Sequence, residues 1–172
     1  MAQIDLGRGI SGRGGKPRLV MIITDPGRES SAAMEWALSH AVVEGDDILL
    51  LHDAAGDGQF MEAMRAACRA RHPRARVHAE RVEPATEGRE AKAQTILAES
   101  QRRGVELLVI GHRRVSSFLG LRSASGSSRG HDSTAEFLIE HSKCLCVSVQ
   151  KKGQNAGYLL NTKTHKNFWL LA

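Results

Sequence analysis

The sequence predicts an α/β fold in which a parallel sheet carries helices on both of its faces. Three observations lead there. Five short apolar runs recur along the chain, four stretches of helical periodicity separate them, and three of those runs are continuously apolar rather than alternating. Continuous apolar runs mark strands buried on both faces, which requires helices above and below the sheet. Strands that alternate with helices in this way are joined by right-handed crossovers.

Taken in order, Leu19-Val20-Met21-Ile22-Ile23 opens the fold as a strand near 18–24, stopped by the turn Thr24-Asp25-Pro26-Gly27. Glu29 to Val43 follows as a helix, with Ala33, Trp36, Ala37 and Ala41 on one stripe and Gly45 as its stop. Ile48-Leu49-Leu50-Leu51-His52 is the second strand, near 47–53. Phe60, Met64, Ala67 and Cys68 form the stripe of a second helix, which Pro73 closes. Residues 75–82 alternate roughly (Val77, Ala79, Val82) and suit a less buried strand. Thr86 to Arg103 is a helix carrying Ala93, Ile96 and Leu97, with Arg102 and Arg103 in its last turn and Gly104 just beyond. The fourth strand lies near 105–111 and the fifth near 144–149. Between them the last helix, Ser133 to His141, starts on a capping box of Ser133 with Glu136.

Composition bounds the function. The 172 residues suit one domain, and 41% hydrophobic content supports one real core. No run reaches the roughly 18 apolar residues of a membrane span. Residues 1–16 form a basic, Gly-rich arm with no apolar segment, unlike a secretory signal. The cytoplasm is the expected location, with the nucleus as a second compartment. The formal charge of +5 sits in the ends: residues 1–18 carry +3 and residues 150–172 carry +4, so the middle is left with −2. A basic tail attracts polyanions without reading them, which argues against specific nucleic-acid recognition.

Several segments, in order, resemble the universal stress protein family. These are Val20-Met21-Ile22-Ile23-Thr24-Asp25-Pro26 running into Ser30 to Ala37, Leu50-Leu51-His52, Leu108-Val109-Ile110-Gly111-His112-Arg113, and Thr134 to Cys144. The resemblance covers 17–150, and the basic, aromatic tail 151–172 is similar to that of a plant branch of the family. It implies a Rossmann-like open five-stranded sheet of order 3-2-1-4-5, a stress-response role, frequent homodimers and, in one subgroup, bound ATP or AMP. Adenine and ribose would sit at the C-terminal ends of strands one, two and four, where open α/β sheets bind ligands. On that resemblance Thr24, Asp25 and Pro26 line the site, and Asp53 meets adenine through its backbone.

The phosphate loop departs from the family pattern of Gly, two residues, Gly, nine residues, then Gly with Ser or Thr. Such glycines let backbone N–H groups close on phosphate at a helix start. Gly111 keeps the first position, but Arg114 replaces the second Gly, and Asp132-Ser133 stands where Gly-Ser belongs, setting a carboxylate beside the phosphates. The pocket reads as degraded, and the protein as a regulatory or interaction protein rather than an enzyme. The alternative is an ATP or AMP switch with a shifted loop, in which Gly126-Ser127 supplies the pair and Arg113 and Arg114 hold phosphate by charge. Asp25 serves equally as a ribose contact or as a cap of its turn.

The remaining candidates read as structural. His52 ends a buried strand, Cys144 and Cys146 share one strand face as small core residues, and no Cys/His cluster suggests a metal. The fifth strand, Cys144 to Val149, carries no charge or proline and would form an edge in the expected order. A homodimer through that strand, with the tail packed beside the seam, is the expected cover.

Overall fold

The computed structural model describes residues 17–24, 28–52, 58–82, 89–111, 133–151, 157–164 and 168–170. Its strands are β1 (Leu19–Ile23), β2 (Asp47–His52), β3 (Arg76–Arg81), β4 (Leu107–Gly111), β5 (Leu145–Lys151), β6 (Tyr158–Asn161) and β7 (Phe168–Leu170). The helices are α1 (Arg28–Trp36), which continues as a π-helical turn over Ala37–Ala41, α2 (Gly58–Arg71), α3 (Arg89–Arg103) and α4 (Ser133–His141). The strands lie in the order β3-β2-β1-β4-β5-β6-β7. The first five are parallel, with β1 in the middle between β2 and β4, as the apolar runs predict.

Alternation along the strands sorts the core into two layers. Val20, Ile22, Ile48, Leu50, Val109, Val147 and Val149 pack with α1 and α2, through Ala33, Trp36, Met64 and Cys68. Met21, Ile23, Leu49, Leu51, Leu108 and Cys146 pack on the other face with α3 and α4, through Ile96, Leu138 and Ile139. The arrangement follows from right-handed crossovers. The chain moves one way across the sheet through α1 and α2, then jumps back through α3, so α3 and α4 fall on the opposite face. Burying each large side chain contributes roughly 1.5–3 kcal/mol relative to leaving it in water.

Two helix stops expected from glycine are present. Gly45 (φ 98°) and Gly104 (φ 70°) take left-handed backbone after α1 and α3, where a Cβ would be strained. The first helix differs from the expected Glu29–Val43. Its last turn is widened, and the Val42 N–H reaches back to the Ala37 carbonyl at 2.8 Å. In α2 the buried stripe is Met61, Met64 and Cys68, while Ala67 faces solvent. The spacing of Met61, Met64 and Cys68 follows one helical stripe, and Ala67 falls outside it.

The chief correction concerns the fifth strand. A partner subunit's strand, with the tail packed beside it, was the expected cover; of the two the tail takes the edge itself, as β6 lies antiparallel along β5, from Ser148↔Asn161 to Lys151↔Tyr158, and β7 pairs with β6 in turn. The described sheet therefore has seven strands rather than five, and the tail belongs to it. Tyr158 and Leu160 enter the core on the α1/α2 face. An apolar strand edge pairs most readily with the nearest extended chain, and the tail is tethered to its end.

Candidate functional site

The parallel strands end together at one edge of the sheet. There β1 hands its chain to α1 on one face, and β4 hands its chain to α4 on the other. This divergence makes a topological switch point between β1 and β4, the usual ligand crevice of an open α/β sheet. The β1–β4 register ends at Ile22↔Val109, so Thr24 and Gly111 each lie two residues beyond the last paired position, at the same end of the sheet.

Their chemistry differs. Thr24 is fully buried; its N–H donates to the Leu51 carbonyl at 2.9 Å, and its hydroxyl donates to the same oxygen at 3.3 Å. The hydroxyl also lies 3.7 Å from the Met61 sulfur of α2. Thr24 thus ties β1 to β2, and its hydroxyl proton is committed to that link rather than to a ligand. Gly111, half-buried and paired with Val149, closes β4 at the crevice. Ser133 opens α4 on the same edge, because α4 must run back to the start of the parallel strand β5. Asp25, Pro26, Asp53, Arg113, Arg114, Gly126 and Ser127 lie outside the described residues.

His52 is buried at the end of β2, and its carbonyl accepts the Val82 N–H at 2.8 Å, extending the β2–β3 ladder. Among the described residues no group of three or more His, Cys, Asp or Glu side chains is placed to hold a metal. Cys68 and Cys146 are buried thiols, and Cys144 packs beside Cys146 in the α3/α4 layer. Burial pushes the Cys68 thiol up to about 11, against a smaller downward pull from Arg69, which leaves it protonated and unreactive at neutral pH.

A second constellation forms where the tail meets α1. The Glu35 carboxylate accepts from the Lys151 ammonium at 3.3 Å. The His40 ring, in the π-helical turn, meets the Tyr158 ring edge-on at 6.0 Å. Burial first, and then the Glu35 carboxylate, push the Tyr158 hydroxyl up to about 12. Sequence reasoning missed Glu35 and His40 because nothing local announces them; the usable signal was Tyr158-Leu159-Leu160 repeated as Phe168-Trp169-Leu170 across a short polar link.

No family model and no curated protein sequence matches the chain. Similarity lies in three dimensions. A universal stress protein from Archaeoglobus fulgidus aligns over 81% of this chain and 98% of its own, with 12% identity and a TM-score of 0.55. The hypothetical protein MJ0577, whose biochemical function was assigned from its structure, aligns over 80% and 98%, also with 12% identity and a TM-score of 0.55. A third, hypothetical protein PH0823, aligns over 80% and 99% at 13% identity, with a TM-score of 0.52. The chain shares the fold of these proteins. No described helix is long and apolar enough to cross a membrane.

Proposed function

We propose that this chain is a universal stress protein of the plant-type branch, acting in the cytoplasm and nucleus as a stress-response interaction protein rather than as an enzyme. The fold shared with the universal stress protein from Archaeoglobus fulgidus supports the family reading, together with the ordered sequence resemblances over 17–150. The observation that carries the interaction reading is Thr24. At the centre of the crevice its hydroxyl is already spent on the Leu51 carbonyl beneath Met61. The sequence then removes two of the glycines a phosphate loop needs, at Arg114 and Asp132.

One observation favours the second reading, an ATP or AMP switch. Gly111 stays at the end of β4, where a residue without a side chain suits backbone approach to a nucleotide. Calorimetric titration with ATP separates the two. The interaction reading expects weak or undetectable binding, and a gain in affinity when Arg114→Gly is combined with Asp132→Gly. Micromolar binding by the parent chain, lost in that double variant, would establish the switch instead. Mass analysis of any small molecule released from the purified protein is the companion measurement.

A further inference from the structure

At the opposite end of the strands from Thr24 and Gly111 the sheet carries an open cavity of about 420 Å³. It lies between the turn joining α1 to β2 and the turn joining α2 to β3, and sites for small organic ligands have volumes of roughly 300–1,000 Å³. Val42, Val43, Pro73 and Ala75 make its apolar wall. Val43 is 38% exposed, and the only other large apolar side chain so exposed among the described residues is Leu145. Arg71, His72 and Arg74 stand around this wall, with Glu44 as the single acid.

Two helical segments end here, which ordinarily gathers unpaired carbonyls and partial negative charge. The local bonding offsets that. The Ala37 carbonyl accepts the Val42 N–H at 2.8 Å, and the Leu38 carbonyl accepts His72 Nε2 at 2.8 Å. The Ala41 carbonyl accepts Arg18 Nη2 at 2.9 Å, and the Cys68 carbonyl accepts the His72 N–H at 2.8 Å. These four carbonyls are answered, and two guanidinium groups stand at the cavity beside the Glu44 carboxylate. Arg71 uses Nη2 on the Ser39 hydroxyl at 2.7 Å, and Arg74 uses Nη1 on Glu44 at 2.8 Å. A guanidinium carries five N–H groups in a fixed fork, suited to a carboxylate.

We infer that this cavity is a binding site for a small amphipathic organic anion. Its apolar body lies on Val42, Val43, Pro73 and Ala75, and its carboxylate is held by Arg71 and Arg74. The site is separate from the crevice at Thr24 and stands whether or not a nucleotide binds there.

The test uses the full chain and octanoate, with octanol and acetate as the two halves of the ligand, followed by amide chemical shifts. Octanoate is expected to shift the amides of Val43, Gly45, Arg74 and Ala75, and to bind at least about tenfold more tightly than octanol or acetate, a difference of about 1.4 kcal/mol. Arg71→Met with Arg74→Met keeps the apolar stems and should remove that preference while leaving octanol unchanged. Equal affinity for octanoate and octanol in the parent chain, shifts confined to the Thr24 edge, or an unaltered preference in the double variant would each overturn the assignment.

Discussion

The ammonium of Lys151, the last residue of β5, meets the carboxylate of Glu35 on α1 at 3.3 Å. The same carboxylate helps to push up the hydroxyl of Tyr158 on the tail strand β6. Glu35 therefore joins the end of the parallel sheet to the segment that covers its edge. The ladder between β5 and β6 supplies the cover, and the Glu35 contacts fix its position over the α1/α2 layer.

A chain ending at residue 156 should consequently expose the edge of β5, uncharged from Leu145 to Gln150. Sedimentation velocity is expected to show self-association or loss of solubility in the shortened chain, as unprotected apolar edges pair with one another. Tyr158→Phe keeps the ring and removes only the hydroxyl on which Glu35 acts, and should cost about 1 kcal/mol in urea unfolding. A shortened chain that stays monomeric and as stable as the full one would show that the tail does not protect the edge.

Alkaline pH should weaken the fold through two of its buried groups. Cys68 rises from an ordinary 9.0 to about 11, chiefly through burial, and Tyr158 rises from 10.0 to about 12 through burial and Glu35. Each folded-state value lies above its unfolded one. The stabilisation is thus complete below about pH 9 and is lost as pH rises towards 12, because the unfolded chain releases these protons first. Urea midpoints should fall across this range, and the fall should be shallower in Cys68→Ala combined with Tyr158→Phe. An equal slope in that variant would assign the alkaline loss to other groups.

The parallel core was legible in the sequence because burial on both faces leaves a local signature. Leu107 to Ile110 and Ile48 to Leu51 can be read as strands without knowing what covers them. The β6–β7 cover was not legible as strands, since segments of only four and three residues become strands only when β5 lies beside them. The apolar character of Tyr158 and Leu160 did show that the tail is packed, yet pairing depends on a neighbour distant in sequence. The same holds at the crevice. Thr24 and Gly111 could be placed at strand ends, but that Thr24 spends its hydroxyl on Leu51 follows only from the β1–β2 register.

Arg18 and Asp46 pin the start of β1 to the turn after α1. The guanidinium meets both carboxylate oxygens, at 3.1 and 2.7 Å, and Asp46 also accepts the Val43 N–H at 2.8 Å. Asp46 is 4% exposed and Arg18 37%, so solvent screens one side of the pair. Removing the carboxylate leaves the Val43 N–H and a half-buried cation unanswered. Asp46→Ala should cost about 2–3 kcal/mol, towards the low end for a buried pair because Arg18 stays hydrated. Asp46→Asn, which can still accept the Val43 N–H, should cost less. Chemical denaturation that finds both substitutions neutral would mean the turn holds without the pair.

Ser148 presents the opposite case. It lies on β5 beside Ile110, is 1% exposed, and its hydroxyl has no hydrogen-bond partner among the described residues. The neighbouring Cys146 on the same strand face packs into the α3/α4 layer as an apolar group. A buried hydroxyl without a partner keeps its desolvation cost, roughly 1–3 kcal/mol, with nothing to offset it. Ser148→Ala removes the hydroxyl and little volume, so it should stabilise the fold, by about 1 kcal/mol once the small lost contact is set against the gain. Ser148→Cys, close to the native shape and matching Cys146, should be at least as stable as the parent. Thermal and urea unfolding of the two variants decide the point, and a loss of stability in both would show that the hydroxyl is held by a group the fold needs.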